Sequence, residues 1–225
     1  HRVQLSDTRT PAALFSVHWG AHGLITAAGH DGIVHVLSSE GQPLVYMKHP
    51  MPCYDANWHP TDPNLLATSC ADKLVRIWHM KTDGSGLPRG TSAEVKLSGH
   101  TQKVFGVLWS PLLPDVLLSG SDDTTVRVWD TRAKTNRALL GHTKNVRALH
   151  WSFEVPWLAF SGSWDGTIRV WDTRSCTAVA VLTDHHADVY AIVSHPSRPA
   201  VLLSTSRDTT IRTWSLSEML SAVFL

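Results

Sequence analysis

The chain has little cysteine, no surplus of either charge and no long apolar run. Cys53, Cys70 and Cys176 are its only three cysteines in 225 residues, and no two make a Cys-x-x-Cys pair. That spacing argues against a zinc knuckle or a disulfide framework and for free thiols in a reducing compartment. Twenty Lys and Arg stand against nineteen Asp and Glu, so the formal charge is +1 and no field of one sign draws in a polynucleotide or an anionic membrane. No apolar run approaches the roughly 20 residues of a spanning helix, and no signal sequence is visible. These absences lead to an expectation of a cytoplasmic chain, with nucleus or cytoskeleton also compatible. They suggest no nucleic acid, membrane, metal, cofactor or small-molecule substrate.

What the chain does hold is tryptophan, ten against three tyrosines and five phenylalanines. Four of them close a repeated pattern. The stretch Leu117 to Arg132 has two strand-like runs around a polar turn, a hairpin signature. The same pattern returns from Phe160 to Arg174. An aspartate precedes a tryptophan by six residues as Asp72 and Trp78, Asp123 and Trp129, Asp165 and Trp171, and Asp208 and Trp214. Thr68, Ser119, Ser161 and Ser204 lie four residues before those aspartates, and His49, His100, His142 and His185 lie twenty-nine before the tryptophans. A degraded fifth copy keeps Asp31 but has Leu37 for the tryptophan and Ala27 for the serine. A period near forty residues is the mark of a repeat architecture.

Serine, histidine and aspartate in series can make a nucleophile, which is the case for a hydrolase. Yet the set recurs four times, and an enzyme needs one such site. No His-x-x-x-His face supports zinc, and Ser119-Gly120-Ser121 lacks the Gly-x-x-x-x-Gly-Lys pattern that cradles phosphate. The expectation is therefore a structural set and no catalytic residue.

Gly99-His100, Gly141-His142, Ser119-Gly120-Ser121, Ser161-Gly162-Ser163, Trp129-Asp130 and Trp171-Asp172 carry a resemblance to the WD40 repeat that covers essentially all of the chain. Asp184-His185, His79 and Ser215 depart from it modestly. The resemblance implies an all-β propeller, 1–225, with five four-stranded blades near 10–48, 49–98, 99–140, 141–183 and 184–225. Seven blades are usual in the family. Because the chain starts at His1 and stops in what reads as an unfinished strand, 219–225, an arc of a larger ring is expected, completed by further blades of the same or another chain. An outer strand is expected at 3–5, and 80–92, rich in Gly, Pro, Lys and Asp, reads as a surface loop insertion. Two runs, Phe160 to Asp165 and His185 to Arg198, resemble one branch of the family more closely.

The resemblance also implies a buried hydrogen-bond chain from indole to hydroxyl to imidazole to carboxylate, which suits the donors and acceptors of those groups. Partners of such propellers are other proteins and dock on the rim where strand a begins. The matching positions are Phe15, Tyr54, Phe105, Arg147 and Tyr190, joined by the turn residues Trp164 and Arg207. The function expected is a non-catalytic scaffold for protein or peptide partners. Two Trp-Asp-Thr-Arg boxes, ending at Arg132 and Arg174, resemble those of substrate receptors of cullin-four ubiquitin ligases, where the arginine contacts the adaptor.

Overall fold

A computed structural model describes residues 10, 12–20, 23–195 and 197–217. The strands expected at 3–5 and 219–225 lie outside the described residues. The chain divides into two compact units, His1–Trp109 and Ser110–Leu225. Both are built of antiparallel strands joined in chain order, so the protein is all-β.

In the first unit, β1 (Leu14–Trp19), β2 (Ile25–Gly29), β3 (Ile33–Leu37) and β4 (Pro43–Lys48) make one sheet, with β5 (Cys53–Trp58), β6 (Leu65–Cys70), β7 (Val75–Thr82) and β8 (Pro88–Leu97) making the next. The last strand of the unit, β9 (Val104–Trp109), lies against β5. The second unit holds β10 (Val116–Ser121), β11 (Val126–Asp130) and β12 (Thr135–Leu139), paired in that order. It continues with the sheet of β13 (Val146–Trp151), β14 (Leu158–Ser163), β15 (Ile168–Asp172) and β16 (Thr177–Leu182). A described three-stranded sheet follows, of β17 (Val189–His195), β18 (Arg198–Ser206) and β19 (Ile211–Ser215).

Second strands such as β6 and β14 are covered on both faces, so they read as unbroken runs of apolar and small residues. Outer strands such as β12 alternate. Leu24, Val34, Val36, Met47, Trp58 and Leu66 fill the core of the first unit; Leu158, Phe160, Ile168, Val170, Ile192 and Leu202 fill a core in the second. Packing is close enough to demand glycine in places. A Cβ on Gly20 would come within 2.5 Å of the Trp58 ring, and one on Gly162 within 2.6 Å of Val189.

Trp19 and Trp58 hold the same place in their sheets, yet Trp58 is 6% exposed and Trp19 69%. On the Trp19 face the first sheet is open, with Val17 also 68% exposed. The segment 80–92 also differs from expectation. It is not a loop: Met80 pairs with Thr91, Lys81 with Gly90 and Thr82 with Pro88, so the extra residues lengthen a hairpin. Only 83–87 turns, held by Asp83, whose carboxylate accepts the Ser85 and Leu87 N–H groups and the Arg89 side chain. Glycine and proline at the tip disguised the paired flanks.

The turn between second and third strands has one design in all five repeats. The aspartate Oδ1 accepts the N–H two residues on: Asp31 from Ile33 at 3.0 Å, Asp72 from Leu74 at 3.2 Å, Asp123 from Thr125 at 3.0 Å, Asp165 from Thr167 and Asp208 from Thr210 at 2.9 Å. The residue between adopts left-handed backbone, whether Gly32, Lys73, Thr124, Gly166 or Thr209. Here is a physical reason for Asp31 to persist where the histidine, serine and tryptophan are gone. One oxygen serves the turn whatever the other does.

Candidate functional site

The repeated polar residues meet in the second unit. In the fourth repeat the Trp171 indole donates to Ser161 Oγ at 2.7 Å, His142 Nε2 lies 2.8 Å from that hydroxyl, and His142 Nδ1 lies 2.9 Å from Asp165 Oδ2. In the fifth, Trp214 donates to Ser204 Oγ at 2.8 Å, His185 Nε2 sits 2.7 Å from it, and His185 Nδ1 lies 2.8 Å from Asp208 Oδ2. Thr143 and His186 add backbone N–H groups to the two Oδ2 atoms. Burial pushes the Asp165 and Asp208 carboxyls up, but these hydrogen bonds outweigh it and hold both below the usual carboxylate range. The histidine side chains are at most 1% exposed. In the third repeat Trp129 donates to Ser119 at 2.7 Å, His100 is buried, and Asp123 also receives the Thr125 hydroxyl.

The second repeat departs from the expected chain. Trp78 donates to Thr68 at 3.0 Å and His49 Nε2 lies 2.9 Å from it, but Asp72 turns away and pairs with both terminal nitrogens of Arg76. Glu94, on β8, holds the other side of that buried guanidinium at 2.7 Å. His49 Nδ1 is left buried without a partner, and burial first, then the Arg76 charge, drives the imidazole down to about 4. A fully desolvated cation captures the carboxylate more strongly than a neutral imidazole does.

Each residue of Ser161-Gly162-Ser163 does separate work. Ser161 joins indole to imidazole, Gly162 admits Val189, and Ser163 accepts the Asp165 N–H while donating to Lys144 O at 3.0 Å. Ser206 repeats the last role with Asp208 and Ala187.

Inner strands are laced by polar groups that the repeat pattern did not single out. Asp55 Oδ1 takes His18 Nε2 at 2.8 Å, raising the His18 pKa, while its Oδ2 takes the Val107 N–H at 3.2 Å. Trp109 donates to Asn57 O, and His150 meets the Ser194 hydroxyl at 2.8 Å, its pKa driven by burial to about 4. His59 and His195 cap the turns after their strands by accepting backbone N–H groups at Nδ1, as Ser110 and Ser152 do with Oγ. The readable signal was His-Pro or Ser-Pro after a strand, at His59-Pro60, Ser110-Pro111 and His195-Pro196.

Of the rim positions, the first unit brings Phe15, Tyr54 and Phe105 into a row with ring centroids 5.0 and 4.6 Å apart, extended by His30 at 5.9 Å from Phe15. In the second unit Arg147 lies over the Trp164 ring at 5.2 Å, and Trp164 is half-buried. Tyr190 is exposed, and Arg207 is 3.7 Å from Asp188. The two box arginines differ. Arg132 pairs with Asp115 at 2.8 Å; Arg174 pairs with Asp172 and lies 3.8 Å over the Trp157 ring.

Antiparallel sheets built on one turn, with serine, histidine, aspartate and tryptophan tied together, define a β-repeat protein whose polar signature is internal to its sheets. The family model "WD domain, G-beta repeat" matches residues 41–79, 92–130, 133–172 and 176–215, and the chain belongs to the WD40 repeat family. Over 87 residues it is 45% identical to histone acetyltransferase type B subunit 2 of Aspergillus oryzae, covering 37% of this chain and 20% of that protein. Over 86 residues it is 38% identical to coronin-7 of Rattus norvegicus, covering 38% of this chain and 9% of that protein. The matches thus span a fifth or less of these relatives. Among the described residues, no helix is long and apolar enough to cross a membrane.

Proposed function

We propose that the chain is a non-catalytic scaffold presenting a rim of aromatic and charged side chains to peptide or protein partners. One observation carries the reading: Phe15, Tyr54 and Phe105 stand in a continuous row, with Phe15 44% exposed. Rigid aromatic side chains with arginine beside them are what interface anchors are made of, and Arg147, Trp164 and Tyr190 offer the same chemistry in the second unit. Against a nucleophilic role for the serine, histidine and aspartate sets, the Ser161 and Ser204 hydroxyls are each taken up between an indole and an imidazole. Fluorophosphonate labelling of the protein should give no adduct.

The mixed charge favours a protein over nucleic acid, membrane or small molecule, and the open Trp19 face suits a further blade from the same or another chain. A relative named as an enzyme's subunit is consistent with work inside a complex, in cytoplasm, nucleus or at the cytoskeleton. The finer resemblance of Phe160 to Asp165 and His185 to Arg198 to WD repeat-containing protein 17 belongs to the same proposal. Cross-linking mass spectrometry on the full-length protein tests it: Tyr54→Ala with Trp164→Ala should lose cross-links to partners while far-UV circular dichroism keeps the wild-type β signal. Unchanged cross-links would remove the rim reading.

A second reading, substrate receptor of a cullin-four ubiquitin ligase, rests on Arg132, whose side chain is 82% exposed and pairs with Asp115. Arg132→Ala should lose to wild type in competition for the adaptor. Equal recovery excludes that role.

A further inference from the structure

Two cysteines face each other in the second repeat. Cys53 opens β5, Cys70 closes β6, and the two are direct cross-strand partners. The Ala71 N–H donates to Pro52 O at 2.9 Å, just outside the pair. That bond marks a non-hydrogen-bonded site of the antiparallel ladder, where opposed Cα atoms lie about 4.5 Å apart and side chains are closest. A disulfide accepts Cα separations from about 4.4 to 6.8 Å. Both side chains are fully buried, both thiols are free, and both sulfurs approach Met51 O, Cys53 Sγ at 4.0 Å and Cys70 Sγ at 3.2 Å.

The other repeats show what the fold itself requires at these two positions. Val146 opposes Ser163 in the fourth repeat and Val189 opposes Ser206 in the fifth. Ser163 and Ser206 donate to Lys144 O and Ala187 O, and Cys70 Sγ makes the matching contact to Met51 O at 3.2 Å. A valine and a serine therefore satisfy the packing and the hydrogen bond. Two opposed sulfurs add a chemistry that the architecture does not use.

We propose that Cys53 and Cys70 are a reversible oxidative cross-linking site, closed to an intrasheet disulfide by peroxide. Cys70 is the attacking sulfur. The interaction with Cys53 lowers the Cys70 pKa, which favours Cys70 as the thiolate that attacks first, while the cross-strand pairing places Cys53 opposite the sulfenic acid that results. Cys70 sulfur attacks one peroxide oxygen and the O–O bond breaks, giving Cys70 sulfenic acid and hydroxide, which leaves as water with the thiol proton. Cys53 sulfur then displaces the sulfenic oxygen, which departs as a second water with the Cys53 proton. Two thiols lose two electrons and two protons, and one hydrogen peroxide becomes two waters. Access comes from the position of the pair at strand ends: breaking the Ala71 to Pro52 bond frays both residues at once, beside exposed Met51. Oxidation removes the Cys70 proton from Met51 O and so takes away one of the anchors of the segment between His49 and the rim residue Tyr54.

The test uses the whole 225-residue chain carrying Cys176→Ser, oxidised with hydrogen peroxide, denatured, alkylated and digested with trypsin. No Lys or Arg lies between Lys48 and Lys73, so one tryptic peptide, His49 to Lys73, holds both cysteines. That peptide should lose two hydrogens, take up no alkylating reagent, and accept two equivalents after dithiothreitol. Cys53→Val and Cys70→Ser, residues the repeats already accommodate, should keep the fold and abolish the loss. Two equivalents of reagent taken up by the oxidised protein without reduction, or recovery of sulfinic acid in place of a disulfide, would overturn the assignment.

Discussion

Replacing Asp165 with alanine withdraws one carboxylate from four donors: the His142 ring, the Thr143 and Thr167 N–H groups, and the Thr167 hydroxyl. The Thr143 and Thr167 groups sit at a turn that water can reach. His142, with a side chain 1% exposed, is closed to water and keeps the Thr167 hydroxyl, 3.2 Å from Nδ1, as a weaker, uncharged acceptor. Exchanging the carboxylate for a neutral acceptor costs the buried imidazole about 1–2 kcal/mol, and the three turn bonds, largely replaced by water, cost about 1–2 kcal/mol together. The expected loss is therefore about 2–4 kcal/mol, or a fall in Tm of roughly 5–15 °C for a chain of this size. Asp31→Ala is the internal control. Asp31 holds the same turn but, among the described residues, its carboxylate accepts the exposed Ile33 N–H alone, so its loss should cost about 0.5–1 kcal/mol. Guanidinium unfolding followed by tryptophan fluorescence reads both variants. If the two substitutions cost the same, the buried chain contributes nothing beyond the turn, and the reasoning fails.

Acid should weaken the fold in two steps. His49 and His150 are held neutral by burial near a pKa of about 4, against an ordinary value of 6.5. Their contribution is complete above pH 6.5 and is lost as pH falls from 6.5 toward 4, by at most about 1.4 kcal/mol per pH unit for each. His150→Gln should flatten that slope in denaturation curves. Asp165 and Asp208 act lower, because depressed carboxyls keep their stabilisation above the ordinary value of 3.8 and surrender it as pH falls below it. Thr124→Gly and Thr209→Gly relieve left-handed backbone at β-branched residues and should raise stability by about 0.5–1 kcal/mol in urea titrations; a loss would show that the threonine side chains matter more than the strain. Gly162→Ala pushes a methyl into Val189, Ala148 and Ile192 and should cost about 1–3 kcal/mol by the same measurement.

The all-β class was legible because one spacing recurred four times, and a spacing that survives repetition implies a common turn. The same spacing put His142, Ser161, Asp165 and Trp171 within reach of one another. It could not foresee Asp72 joining Arg76, because Arg76 and its equivalents Arg127, Arg169 and Arg212 look alike along the chain. What sets Arg76 apart is Glu94, eighteen residues on, delivered by the register of β7 against β8. Pairing register is a property of two strands, so neither strand alone reveals it. The hairpin at 80–92 was hidden for a related reason, since glycine and proline announce a turn without saying how far the flanking strands run. His18 and His150 share one place, just before the tryptophan that ends the first strand, but Asn57, Leu108 and Val193 stand there in the other repeats, and the partners Asp55 and Ser194 lie one repeat further on, so no single repeat shows the contact.

Asp55 has one more consequence. Its two oxygens point to opposite sides, one to the sheet before and one to the strand after, so a single short side chain is a hinge pin shared by three successive repeats. Any force that tilts β5, whether a ligand pressing on Tyr54 or a pull along the backbone, must strain both connections together. Movement in this unit would then pass along the row as a linked displacement instead of dying out within one sheet.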